Sequence, residues 1–382
     1  MKIAFIHNEK KIGTGAHYIN DLMSLKLKES DVKMKNFYPR VSLDAPVHLS
    51  GLKNILFFYS LLEKRKEILK YDLIQGTTYT PLPFLAYQIP VISHFGSTTR
   101  GFLNATPRAS HMETHLKQIW YDLKKVGAIK EVNIKTRRPL RDIAEIEEYV
   151  ASKAEAVIAT SLGVVNELLE IGVEKKKIHL IHNAIEDYWF DNHRPNPIGD
   201  PRLVFLGRMG GDAFNMKLKG VDRLIHLYKH FDHVKKVTIC MTTNKTIVSW
   251  LLNNLPNHSL YVNIKKDKIP QIVKGLRGSI LFIPSRYEGF SLSLIEGMSQ
   301  GLVPVIYAVG VAPEIIRNGE NGFIVSSQKE AIEKVKLLLE DEPLRSRCSL
   351  SAEKTSIQFS SSFIAKKLMK VYEEVGKQNP YK

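Results

Sequence analysis

The chain is poor in the features that mark several common classes of protein. Its 382 residues hold two cysteines, Cys240 and Cys348, each inside a stretch that reads as regular structure. Their spacing fits neither a disulfide framework nor a metal-ligand pattern, so thiols held in a reducing compartment are expected. No run approaches eighteen uninterrupted apolar residues, which excludes a hydrophobic membrane-spanning helix. The opening segment Met1-Lys-Ile-Ala-Phe-Ile-His7 has a short apolar core and no small-residue cleavage site. It reads as a first strand rather than a signal peptide. No module signature for nucleic-acid binding occurs either, and a nucleic-acid partner is not expected.

What is present suits a folded, soluble protein of two domains: 44% hydrophobic residues, 25% charged residues and enough length for two cores. The net charge of +16 is spread over both halves rather than held in a tail. Such an excess suits attraction to anionic lipid head groups, nucleic-acid binding, or solubility combined with a phosphate-binding cleft. Contact with the inner, cytoplasmic face of a membrane is the first of these.

One stretch organises the rest: Ser285-Arg-Tyr-Glu288-Gly-Phe-Ser-Leu-Ser-Leu-Ile-Glu296-Gly-Met-Ser-Gln-Gly301. The apolar run 279–283 before it predicts a short buried strand. Residues 288–291 then form a tight turn, and 292–300 a helix stopped by Gly301 in a left-handed C-cap. Two carboxylates, Glu288 and Glu296, therefore bracket a helix N-terminus. Backbone N–H groups at Phe290, Ser291 and Leu292, reinforced by the helix dipole, can hold a phosphate. Glu288 on the turn can reach a polyhydroxyl group, and Glu296 further along the helix can take a pair of vicinal hydroxyls. Sugar, diphosphate and ribose in that order describe a nucleotide sugar. The bland alternative is an ordinary crossover with a solvated glutamate at each end.

Around this stretch the chain alternates strands and helices. Strand 2–7, a loop containing Gly13 and Gly15, and a helix from about residue 18 open a doubly wound domain. A helix over 52–69, strands near 71–75 and 90–96, a poorly readable basic and aromatic segment 97–146, and a further helix–strand–helix unit follow. Turn formers at 191–201 mark a hinge. The second domain begins with a strand at 203–209, a loop over 210–218 and a helix after Gly220, and continues with a strand at 237–241 and a surface helix at 332–339. The expected division is residues 1–195, 196–360 and a final helix within 361–382.

Glu288 and Glu296, then Gly301 and Pro304-Val-Ile, then Gly310-Val-Ala-Pro-Glu314-Ile-Ile-Arg-Asn-Gly319-Glu-Asn-Gly322 resemble the C-terminal half of the family-4 (group 1) retaining glycosyltransferases. The family usually has Gly at the position of Ser291 and Ala at that of Gly297. The resemblance implies the GT-B fold: two Rossmann-like α/β domains facing across a cleft, with the C-terminal helix crossing back to the first domain. It implies a nucleotide-sugar donor site at Gly15, Arg208, Lys219, Gly289, Phe290, Ser291, Leu292 and Glu296, with Arg208 and Lys219 clamping the diphosphate and Lys217 as a rival for Lys219. It implies catalytic roles for Glu288 and for His94, which resembles the family's histidine near the transferred sugar. The absence of any Asp-x-Asp agrees with metal-independent transfer from a UDP- or GDP-sugar, cation and dipole replacing a divalent ion. The acceptor side is the first domain, and a glycan or lipid-linked acceptor in cell-envelope synthesis is expected. The competing readings are a nucleotide-sugar epimerase of the same fold, which would need no acceptor, and a non-catalytic sugar- or nucleic-acid-binding protein.

Overall fold

The computed structural model of the protein describes residues 1–7, 16–29, 32–39, 58–134, 137–191 and 198–377. The chain forms two compact units. The first comprises Met1–Leu103, Thr136–Asp187 and Phe359–Lys382, the second Asn104–Lys135 and Tyr188–Gln358.

The first unit is built on β1 (Lys2–Ile6), β2 (Lys33–Phe37), β3 (Leu73–Thr77), β4 (Val91–Phe95), β5 (Ala156–Ala159) and β6 (Ile178–Leu180). All pair in parallel in the order β2-β1-β3-β4-β5-β6. β3, β4 and β5 are buried along their whole length, as strands covered on both faces must be. Helix Ser361–Lys377 belongs to this unit. Asp187 fixes its start, accepting from Ser361 Oγ at 2.9 Å and from Ser362 N at 3.2 Å. Tyr372, buried on that helix, stands edge-on to Phe5 and donates to Gln75 of β3. Of the helix expected at 52–69, residues 52–57 lie outside the described residues; the rest is a 3-10 turn, Tyr59–Lys64, running into a short helix, Arg65–Ile68.

The second unit carries β7 (Leu203–Arg208), β8 (Lys236–Met241), β9 (His258–Val262), β10 (Ile280–Ile283), β11 (Val303–Tyr307) and β12 (Phe323–Val325), again all parallel, in the order β12-β11-β10-β7-β8-β9. β7 and β10 are central, so whatever follows them lies at the middle of the sheet's carboxyl edge, where α/β units of this kind bind ligands.

Two expectations change. The segment 210–218 is not all loop: residues Ala213–Leu218 form a helix, because Asp212 caps it by accepting from the N–H groups of Phe214 and Asn215. The strip Asn104–Lys135, expected within a first domain of residues 1–195, is part of the second unit. Its helix Thr114–Lys125 buries Leu116, Ile119, Trp120 and Leu123, one face at helical spacing, in the same core as Leu224, Leu227 and Tyr228 of helix Val221–His230. Burying such side chains is worth roughly 1.5–3 kcal/mol each, more than the composition of surrounding bases can offset. Trp120, from the basic and aromatic segment 97–146, is a core residue. Among the described residues no helix is long and apolar enough to cross a membrane.

Candidate functional site

The chain leaves β10 at Ile283 and turns through Pro284–Ser291 into helix Leu292–Ser299. Gly301 follows the helix at φ 72°, with Leu302 N–H bonded to Gly297 O at 3.1 Å and Gly301 N–H to Met298 O at 3.0 Å. This is a Schellman stop, and it sends the chain directly into β11. The turn is pinned from the other side by residues 310–311. Val311 N–H donates to Phe290 O at 2.9 Å, and a Cβ on Gly310 would lie 2.4 Å from that same oxygen. The two glycine-bearing motifs read from the sequence thus meet as neighbours.

Glu288 is held in this turn with its side chain mostly buried. Its Oε1 accepts from Lys219 Nζ at 2.7 Å and from Ser285 Oγ at 2.7 Å. Glu296, also buried, sits on the second turn of the helix with Lys266 Nζ 3.6 Å from its Oε1. Gly289, Phe290, Ser291 and Leu292 form the turn and the first residue of the helix, and Phe290 is buried as its anchor. Arg208 ends β7 and is exposed there. These residues are all in the second unit. His94 lies in the first, buried near the end of β4. Gly15 lies outside the described residues.

Geometry sends the two rivals, Lys217 and Lys219, to different partners. Lys217 is 2% exposed, donates to Pro107 O at 3.2 Å and to Asn133 Oδ1 at 3.0 Å, and lies over the Trp120 ring. It fastens the strip Asn104–Lys135 to its unit. Lys219, two residues on and just past the helix end, is partly exposed and carries its ammonium to Glu288.

Sequence reasoning assigned no role to the residues that hold this geometry. Arg286 makes a two-pronged pair with the buried carboxylate of Asp222, at 2.7 and 2.6 Å, and donates to Lys217 O at 2.9 Å. Its backbone N–H reaches Leu218 O at 2.8 Å. The turn bearing Glu288 and the corner bearing Lys219 are therefore tied together beside the pair. Arg223 stacks on Tyr307 at 3.9 Å and donates to Pro284 O at 3.2 Å; burial, and then the neighbouring Arg286 charge, hold its guanidinium below the usual arginine range. Ser285 and Arg286 stand inside the motif itself, and Asp222 two residues after Gly220. Lys266 gave no signal, since only folding brings it to Glu296. Among the described residues no group of three His, Cys, Asp or Glu side chains converges to hold a metal ion. The arrangement offers cations and a helix N-terminus for phosphate, and two carboxylates for hydroxyl groups.

Comparison with known proteins bears on the family and the fold. The family Glycosyl transferases group 1 matches residues 193–355, and Glycosyltransferase Family 4 matches residues 25–187. An uncharacterised glycosyltransferase of Methanocaldococcus jannaschii is 27% identical over 232 residues, 60% of this chain and 62% of that protein. The N,N'-diacetylbacillosaminyl-diphospho-undecaprenol alpha-1,3-N-acetylgalactosaminyltransferase of Campylobacter jejuni is 33% identical over 120 residues, 31% of each chain. Both matches span less than two thirds of the relative's length. The sucrose-phosphate synthase of Thermosynechococcus elongatus shares the fold, with a TM-score of 0.75 at 14% identity over 98% of this chain and 99% of that one. With one family on each half of the sequence and two parallel six-stranded sheets beneath them, the chain belongs to the group 1, family 4 glycosyltransferases and has the GT-B fold.

Proposed function

We propose that the protein transfers a hexosyl unit from a UDP- or GDP-sugar to a hydroxyl of a glycan acceptor, with retention of anomeric configuration and without a metal ion. The observation that carries this reading is the turn and helix 288–299, where Glu288, a helix N-terminus and Glu296 follow one another with Lys219 on Glu288. The sugar lies at Glu288, the diphosphate at the N–H groups of the first helical turn with Arg208 and Lys219, and the ribose at Glu296.

In the reaction the bond between the anomeric carbon and the phosphate oxygen breaks, its electron pair leaving with the nucleotide. The acceptor oxygen bonds to that carbon on the face the nucleotide leaves, and the acceptor proton passes to the departing phosphate. Charge grows on the diphosphate as the bond opens, so Lys219, Arg208 and the helix dipole act most strongly at the transition state. His94 is assigned to the transferred sugar on the family resemblance alone. A lipid-linked acceptor at the cytoplasmic face of a membrane is supported by the net charge of +16 and by the name of the Campylobacter relative, whose acceptor is a diphospho-undecaprenol.

The test is a thermal-shift series with UDP, GDP and CMP in EDTA, for the native protein and for Glu296→Ala. Ligand at about 100 times its dissociation constant adds about 2.7 kcal/mol, a shift of some degrees. One nucleotide should raise the midpoint, and the variant should lose the rise. No shift with any of the three would overturn the reading.

A further inference from the structure

Ser291 carries two unfavourable features in the free protein. Its backbone lies at φ 81°, ψ 77°, a left-handed conformation that disfavours any residue with a side chain. Its hydroxyl is 96% buried with its residue, which is 4% exposed, and Oγ has no hydrogen-bond partner. Ser291 is the N-cap of helix Leu292–Ser299, and a capping serine normally removes the second problem by accepting from an N–H of the first turn. Ser161, Ser327, Asn244, Asp212 and Asp341 all do so in this chain. Ser291 does not.

Its neighbours are engaged elsewhere: Glu288 Oε1 accepts from Lys219 and Ser285, and Phe290 O accepts from Val311 N–H. The hydroxyl, without a partner of its own, is an unused donor at a helix N-terminus, where the dipole and the first-turn N–H groups favour an anion. A step of χ1 between staggered positions is the movement available to it.

We propose that the Ser291 hydroxyl is a ligand-directed donor, which gives a hydrogen bond to a phosphate oxygen of the nucleotide diphosphate and has no partner until that ligand arrives. The inference rests on the donor site of the proposed function, and adds that a side chain, not backbone alone, grips the phosphate there. A phosphate oxygen is an acceptor only, so a serine hydroxyl complements it, and a charged acceptor makes the bond stronger than one between neutral groups. Glycine at 291 would remove both unfavourable features of the free protein and the hydrogen bond with them.

The experiment compares native protein, Ser291→Gly and Ser291→Ala by calorimetric titration with UDP, GDP, uridine and guanosine, and by melting without ligand. Ser291→Gly should melt higher than native, since it relieves both backbone and hydroxyl; Ser291→Ala, which keeps the backbone conformation, should gain less. Both variants should bind the preferred nucleoside diphosphate about tenfold more weakly. Binding of the matching nucleoside, which has no phosphate, should be equal in all three proteins. Equal diphosphate affinity in native and variants overturns the inference and leaves the donor site standing. So does an equal loss for the nucleoside, which marks a disturbed pocket. A native protein that binds neither diphosphate overturns the functional reading, and this inference falls with it.

Discussion

Lys219 Nζ lies 2.7 Å from Glu288 Oε1, so the cation that the proposed function gives to a diphosphate is held by the carboxylate that it gives to a sugar. On that proposal donor binding divides the pair, the ammonium turning to phosphate and the carboxylate to hydroxyl groups. Glu288→Gln frees Lys219 while removing a charge that polarises the sugar. Nucleoside diphosphate affinity should stay the same or rise, while kcat should fall by about 10²–10³-fold, the usual loss for one positioned electrostatic group. Titration calorimetry beside steady-state turnover checks both halves. Unchanged turnover would remove Glu288 from the chemistry.

The two lysines of the corner should part company under substitution. Lys217→Ala removes a buried stem and takes the ammonium from Pro107 O, while Asn133 Oδ1 keeps the N–H of Ala109; the cost should be about 2–4 kcal/mol and several degrees of melting temperature. Lys219→Ala removes a partly exposed side chain and leaves Glu288 with the Ser285 hydroxyl as a donor, so melting should fall less than for Lys217→Ala while transfer falls steeply. Differential scanning calorimetry and a transfer assay on both variants decide it. If Lys219→Ala melts low and Lys217→Ala transfers normally, the assignment is reversed.

These two positions also show where sequence reading ends. Helix 292–300 and its stop were legible because the signals are local: a glycine turn, an apolar helical run and Gly301 at the end. The lysines are two residues apart, and nothing local says that one meets Trp120 and the other Glu288. The strip Asn104–Lys135 lies in the segment that reads poorly, its bases and aromatics mixed, and which sheet receives the apolar face of its helix is set by surfaces distant in sequence. The helix Ala213–Leu218 was missed although Asp212 is a good N-cap, because Gly210 and Gly211 before it and Gly220 after it dominate so short a segment. Lys266 becomes visible only once folding brings it to Glu296.

Asp222 and Arg286 form the most buried ion pair near the site, Asp222 being 0% exposed. Arg286→Ala leaves that carboxylate without its counter-charge, a loss of about 3–5 kcal/mol. Replacing both partners by apolar residues, Asp222→Leu with Arg286→Met, should recover most of the stability, since a desolvated pair contributes little beyond an apolar one. Transfer should not recover, because the hydrogen bond from Arg286 to Lys217 O, which ties the Lys219 corner to the Glu288 turn, is gone. Urea unfolding of the single and double variants gives the coupling, and turnover of the double variant separates support from positioning. Full activity in the double variant would show that the backbone bond from Arg286 to Leu218 is tether enough.

In the first unit Glu147 sets a dependence of stability on pH. Its carboxylate accepts from Thr99 N–H at 2.7 Å and from Thr99 Oγ1 at 2.9 Å, at the start of the helix Thr99–Ala105 that follows β4. Burial pushes its carboxyl from an ordinary 4.5 up to about 7; the Thr99 bonds oppose the rise, and the charges of Glu148 and Glu167 add to it. The folded value exceeds the unfolded one, so the stabilisation is fully present below about pH 4.5 and is lost as pH climbs through 7. The difference between the two ends is on the order of 3 kcal/mol. Glu147→Gln keeps the shape and an acceptor for Thr99 but cannot ionise. Native protein should therefore lose melting temperature relative to the variant between pH 5 and pH 8, the variant being the more stable at pH 8. Parallel melting curves across that range would mean that Glu147 ionises in the fold without cost, and that its bonds to Thr99 fully compensate for burial.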